Sequence, residues 1–166
     1  MNKNQIEKIK DSSKRYQYVY ESNNNKFSKI GNWLEKIITL FKKEVDGTKP
    51  NKPNFRRGEI IKVDFGINLG SELSNTHFAI VLNSDDNNNV DNLTVIPLTS
   101  KSGYKRFFLG KILKSFGDKY NKDTYALITQ ITTISKTKVF KSNIKCYCDK
   151  DILEKLNIEI INFITK

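Results

Sequence analysis

The chain of 166 residues holds one histidine, two cysteines, one tryptophan and three prolines, and it has far fewer acidic than basic side chains. Each shortage removes a class of protein. One histidine and two cysteines do not supply the roughly four nitrogen and sulfur ligands of a structural zinc site. Two cysteines, at positions 146 and 148, do not make the framework of a disulfide-stapled secreted domain, and both are read as reduced thiols. No apolar run approaches the roughly 20 residues of a bilayer span. The stretch MNKNQIEKIKDSSKRY at the start lacks the apolar centre and small-residue cleavage site of a secretory signal, so a cytoplasmic location is expected.

The shortage of acid is the most informative. Lysine and arginine number 29 against 18 aspartates and glutamates, a formal net charge of +11. A solvated lysine-rich surface accounts for part of this excess. The remainder favours a polyanionic partner: nucleic acid, an acidic protein or an anionic membrane surface. The length suits one domain with a real core, or a small domain with an appendage.

The chain divides at DGTKPNKPN, residues 46–54, where prolines, glycine and polar residues interrupt every period. Residues 1–50 read as a helical extension and residues 51–166 as the principal domain. Within the extension, ESNNN breaks two helical stretches. The second places Phe27, Ile30, Leu34, Ile37, Ile38 and Phe41 three and four apart, a single apolar stripe flanked by lysines. The first, around Gln5 to Glu21, carries Tyr16, Tyr18 and Tyr20.

Beyond the linker the period changes to two. EIIKVDF (59–65), HFAIVLN (77–83), NLTVIPLT (92–99), RFFLGKIL (106–113), TYALITQITTI (124–134) and a short IKCYC are rich in β-branched and aromatic residues. A final segment opens with Asp151 and Glu154 at capping-box spacing and keeps Ile152, Leu153, Leu156, Ile160 and Ile164 at helical spacing. Short strands closing into a small barrel, ended by an amphipathic helix, fit this pattern.

The single histidine, His77, opens one of these strands. There Phe78, Ile80 and Leu82 share one face, and His77, Ala79, Val81 and Asn83 the other. The next strand repeats the parity with Ile96 and Leu98. Turn-rich residues 84–91 join the two, which predicts an antiparallel pair. Meeting of the large residues on one core face then sets Val81 against Val95 and His77 against Thr99. A bulge at Pro97 would shift that register by one residue.

Four blocks, RRGEIIKVDFG, GSE followed after five residues by FAIVLN, TVIPLTS, and ALITQITTISKTKV, stand in the order and spacing of the MazF/PemK toxins, which this chain resembles from about Phe55 to Val139. The resemblance implies a mainly β fold with helices, an SH3-like barrel of the MazF/CcdB type with a C-terminal helix, assembled as a homodimer. It also implies a toxin of a type II toxin-antitoxin system that cleaves single-stranded RNA, often mRNA, at short motifs without a metal or other cofactor. An antitoxin with an acidic tail would neutralise it by covering the RNA groove. By the same resemblance Thr99 matches the catalytic threonine, and His77 falls where the family carries its catalytic arginine. Ser71 and Glu72 of the GSE loop, Ser100 and Lys101 after the threonine, and Gln130 are candidates for substrate binding. Thr132 replaces the arginine of a further family motif.

The exchange of arginine for histidine suits the chemistry. Metal-free cleavage needs a base for the 2′-hydroxyl proton, a donor for the phosphorane and an acid for the departing 5′-oxygen. An unperturbed imidazole titrates near about 6.5 and serves as base or acid, which a guanidinium does only with difficulty. The exchange also removes a fixed charge and a bidentate phosphate contact. Phe65, Tyr104 and Phe107 are candidates for stacking bases, although aromatic residues more often serve the core. The rival reading is a binder without catalysis, because the same barrel superfamily includes a DNA gyrase poison. The helical extension has several possible roles: bracing a dimer, covering the groove, docking an antitoxin or, least expected, touching a membrane.

Overall fold

The computed structural model describes residues 3–21, 27–47, 54–83, 90–142 and 144–166. The expected helix break at 22–25, most of the linker at 46–54 and most of the turn-rich connection at 84–91 lie outside those residues. The chain forms two compact units, Met1–Lys49 and Pro50–Lys166.

The first unit contains helices α1 (Lys3–Glu21) and α2 (Ile30–Val45), the latter entered through a 3-10 turn at Phe27–Lys29. Neither glycine nor proline interrupts α1, and two pairs four residues apart brace its surface: Arg15 with Asp11 at 2.7 Å and Gln17 with Glu21 at 2.8 Å. Such exposed pairs contribute only a few tenths of a kcal/mol each. The Tyr16 hydroxyl of α1 lies 2.8 Å from where a Cβ on Gly31 would stand, so only glycine admits this approach to α2. The expected single stripe of α2 is divided. Ile30, Trp33, Ile37 and Leu40 are half-buried, whereas Leu34, Ile38 and Phe41 are exposed.

The second unit is a mostly antiparallel sheet of β1 (Ile60–Asp64), β2 (Thr76–Val81), β3 (Asn92–Thr99), β4 (Arg106–Gly110), β5 (Thr124–Leu127) and β6 (Thr132–Ser135), followed by α3 (Lys150–Ile164). The hydrogen-bonded order is β1-β2-β3-β5-β4, with β6 also on β3. The expected closure into a barrel is therefore corrected: the path is open and ends at β1 and β4. The expected continuous strand 124–134 is also corrected. A 3-10 turn at Ile128–Gln130 divides it into β5 and β6: β5 pairs with β3 at Leu98 and Thr99 and β6 along Asn92–Val95, and the stretch from Ala126 to Thr132 is longer than the stretch from Leu98 to Val95 that it faces, so the surplus residues form the turn. IKCYC contributes only one bridge, Tyr147 with Glu59.

The β2–β3 register agrees with the parity argument. Val81 faces Val95, Ile80 faces Ile96 and Ala79 faces Pro97, without a bulge. Pro97 has no N–H to donate. Leu82 N–H reaches the Thr94 carbonyl at 2.8 Å, so by two-residue alternation Ala79 and Pro97 are a non-bonded pair of the β2–β3 ladder. The missing N–H thus belongs to the other edge of β3, at the step where β6 gives way to β5, and no ladder bond is lost.

Both faces of the sheet are covered. Ile60, Phe78, Ile80, Ile96, Leu98 and Ala126 form one core with Leu156 of α3, while Ile61, Val63, Ala79, Val81, Leu93 and Val95 form a second beneath Phe55 and Phe65. Cys148 is buried and Cys146 half-buried against the first core. Helix α3 starts one residue ahead of the expected capping box, with Asp149 at its N-cap making no side-chain bond. Arg57 ties α3 to the sheet by donating to Asn157 at 2.6 Å and to the Leu82 carbonyl.

Leu156 is the only wholly buried residue of α3. Leu156→Ala is expected to lower stability by about 3 kcal/mol, and Ile161→Ala, on the exposed face, by less than about 0.5 kcal/mol. Denaturant midpoints at an unchanged slope measure both.

Candidate functional site

A cleft of about 650 Å³ opens at the ends of β2 and β3. The ladder between these strands runs to Ala79 and Pro97, while β3 continues as the partner of β5 through Thr99. His77 on β2 and Thr99 on β3 both line this cleft, together with Ser100 and Lys101. Four of the seven site residues expected from sequence are therefore gathered in one place.

His77 is half-buried, held between strand and solvent. Its backbone pairs with Val63 of β1, and its ring meets the edge of Phe65 at 6.4 Å between centroids and 64° between planes. Phe65 is 6% exposed and belongs to the second core, so it braces the imidazole rather than offering a face to a base. Phe107 likewise packs against the first core, whereas Tyr104 is 86% exposed and lies outside the cleft lining.

Thr99 Oγ1 accepts the Lys101 N–H at 3.2 Å. A hydroxyl oxygen that already accepts keeps its own hydrogen for another acceptor. The turn that makes this bond is clamped by Arg106 of β4, whose Nη1 donates to the carbonyls of Lys101 at 2.8 Å and Ser102 at 2.9 Å. Gly103 has φ of +157° and no side chain, and a Cβ there would come within 3.2 Å of the guanidinium carbon.

Ser71, Glu72 and Gln130 form a separate group outside the cleft lining. Gln130 Oε1 accepts the Leu73 N–H at 3.3 Å, and its Nε2 donates to the Ser71 carbonyl at 3.5 Å. Gln130 thus fastens the β1–β2 loop to the turn between β5 and β6. Glu72 is exposed on that loop.

Sequence reasoning expected a basic groove but named only Lys101 of the lysines in its lining. Lys62, Lys119 and Lys122 join Lys101 in the lining, and no carboxylate does. Lys62 is signalled in sequence as the lysine set between Ile61 and Val63 in EIIKVDF; Lys119 and Lys122, in DKYNKD, look like any polar turn. Such a wall favours an anion and lacks the oxygen ligands that hard cations require. Among the described residues, no group of three or more His, Cys, Asp or Glu side chains is placed to hold a metal ion. No described helix is long and apolar enough to cross a membrane.

Burial, the Asp149 charge and Cys146 push the Cys148 thiol up to about 11. The thiolate is the reactive form, so at pH 8 native Cys148 is expected to resist iodoacetamide and to react readily once the protein is unfolded, as followed by peptide mass spectrometry. Arg106→Ala is expected to speed hydrogen exchange of the Lys101 amide while leaving the amides of β2 unchanged.

Comparison with known proteins agrees with this architecture. MazF (form I) from Deinococcus radiodurans superimposes with a TM-score of 0.53 at 15% identity, over 69% of this chain and 99% of that one. A chain of the MazE–MazF structure (form II) from the same organism matches at a TM-score of 0.48 and 15% identity, over 68% and 96% of the two chains. No curated protein sequence matches the chain. The sequence profile described as PemK-like, MazF-like toxin of type II toxin-antitoxin system matches residues 56–164, which takes in the whole sheet and α3. The chain belongs to the PemK-like, MazF-like toxin family of type II toxin-antitoxin systems.

Proposed function

We propose that the protein is a metal-independent endoribonuclease toxin that cuts single-stranded RNA in the cleft between β2 and β3. The observation that carries this reading is the joint lining of one lysine-walled, carboxylate-free cleft by His77 and Thr99. RNA phosphates are drawn to such a wall with salt-sensitive affinity. In the reaction the 2′-oxygen loses its proton and attacks the adjacent phosphorus. The bond from phosphorus to the 5′-oxygen breaks, leaving a 2′,3′-cyclic phosphate on one product and a 5′-hydroxyl on the other. His77 carries the proton, from the 2′-hydroxyl or to the departing oxygen. Thr99 donates its hydroxyl hydrogen to a non-bridging oxygen as charge grows there, and the lysines offset that charge.

The fixed positive charge that the family's arginine would bring is absent at His77, and Lys62, Lys101, Lys119 and Lys122 supply it from around the same cleft. The same surface suits an acidic segment of an antitoxin, and the protein acts in the cytoplasm as a homodimer. Ser71, Glu72 and Gln130 serve the substrate through the position of the β1–β2 loop.

Incubation of the purified protein with a long single-stranded RNA in EDTA tests the proposal. Wild type is expected to give discrete fragments. His77→Ala is expected to cut slower by about 10²- to 10⁴-fold and Thr99→Ala by about 10²- to 10³-fold, both with unaltered thermal unfolding. Intact RNA with wild type, despite salt-sensitive binding, would instead favour a binder that has lost catalysis together with the family arginine.

A further inference from the structure

Two of the cleft's lysines lie over aromatic rings. The Lys62 ammonium is 5.7 Å from the centroid of Phe140, and the Lys119 ammonium is 4.9 Å from that of Tyr120. All four residues line the cleft that holds His77 and Thr99. The first pair belongs to β1 and the segment beside it, where Phe140 N–H donates to the Lys62 carbonyl at 2.9 Å. The second belongs to the connection between β4 and β5. In the order β1-β2-β3-β5-β4, the strands carrying His77 and Thr99 lie between the elements that supply these pairs.

Resting on the ribonuclease reading above, we infer that the two pairs are nucleotide subsites flanking the cleaved bond, each ring stacking one unstacked base and each ammonium holding a neighbouring phosphate. The Tyr120 ring is held in place, and the backbone of Phe140 is fixed to β1 by its bond to Lys62. Tyr120 stands edge-on to Phe78 at 5.0 Å and 86°, and its turn is closed by Asn121 N–H on the Asp118 carbonyl at 3.0 Å and Lys122 N–H on the Tyr120 carbonyl at 2.8 Å. Phe140 is 41% exposed, so part of its side chain stays open to solvent. A ring beside a cation answers the two parts of a nucleotide, the flat base and the anionic linkage. Its occurrence twice in one cleft matches a repeating polymer of such units. An acidic polypeptide would use the ammonium groups but has no use for two rings. Asp118 and Asp123 border the Lys119–Lys122 turn in sequence, yet neither lines the cleft.

Fluorescence polarisation with the full-length protein tests the assignment. Two uncleavable probes are needed: a labelled 2′-O-methyl oligouridylate of twelve units and a phosphodiester chain of equal length without bases. Wild type is expected to prefer the base-bearing probe. Phe140→Ala is expected to weaken that probe by about tenfold, the effect of losing one base–ring stack, and to leave the baseless probe unaffected. Lys62→Ala and Lys119→Ala are each expected to weaken both probes and to lower the salt slope by about one. Equal binding of both probes by Phe140→Ala and wild type, or an equal loss on both, would overturn the subsites. RNA cleavage by the same Phe140→Ala preparation at the wild-type rate and KM would then show that the ribonuclease reading survives without them. Tighter binding of polyglutamate than of either probe, with no RNA cleavage by wild type, would overturn the subsites and the ribonuclease reading together.

Discussion

The structure turns on β3, a strand of eight residues that pairs with three neighbours. Along one edge it runs with β2 as far as Pro97. Along the other it leaves β6 and takes up β5, and Pro97 stands at that change, where its missing N–H forfeits no ladder bond. Beyond Pro97 the end of β3 pairs with β5 on that second edge, while the start of β2 and the end of β3 both line the cleft. The short connection Ile128–Gln130 keeps β5 and β6 on one edge of β3. Its last residue, Gln130, also fastens the loop ahead of β2.

The cleft is an electrostatic compromise. Four ammonium groups share it without a lining carboxylate, an arrangement that self-repulsion disfavours until an anion arrives. The two cores beneath it make this tolerable, since Val63, Ala79, Ile80, Val81, Leu93 and Val95 are wholly buried and fix β1, β2 and β3 independently of any ligand. The exchange of a fixed guanidinium for His77 fits this distribution. With charge supplied from β1, from the turn after β3 and from the connection before β5, the place of His77 in the cleft suits a group that both accepts and donates a proton. Thr99 is prepared in its own way: its oxygen is occupied by the Lys101 amide, and Arg106 holds that turn.

Much of this was legible in the sequence wherever period and parity determine geometry. The alternation in HFAIVLN and NLTVIPLT leads to Val81 against Val95, the pairing observed, because a slip of one residue would separate Phe78 and Ile80 from Ile96 and Leu98 in the core beneath α3. The motif blocks lead to the family for the same reason, since they are largely the strand sequences themselves. Illegible features depend on contacts distant in sequence. TYALITQITTI is rich in β-branched residues and has no glycine or proline to mark a break, and the turn in its middle follows from the offset between its two pairings with β3. Phe140 reads as an unremarkable residue after a strand, and its place above Lys62 arises from pairing across the sheet. Arg106 and Gln130 act through backbone carbonyls and amides, which no pattern of side chains announces. The apolar residues of α2 satisfy one helical period, yet their burial separates them into two faces.

At the centre of the account is transfer of the 2′-hydroxyl proton in a cleft lined by both His77 and Thr99. The most direct test replaces the 2′-hydroxyl by hydrogen at one mapped cleavage position of an otherwise unmodified RNA, with digestion in EDTA. The account predicts that this one bond remains intact while every other mapped bond is cut at its former rate. Cleavage of the substituted bond at an unchanged rate would contradict it, because the attacking oxygen would then come from elsewhere.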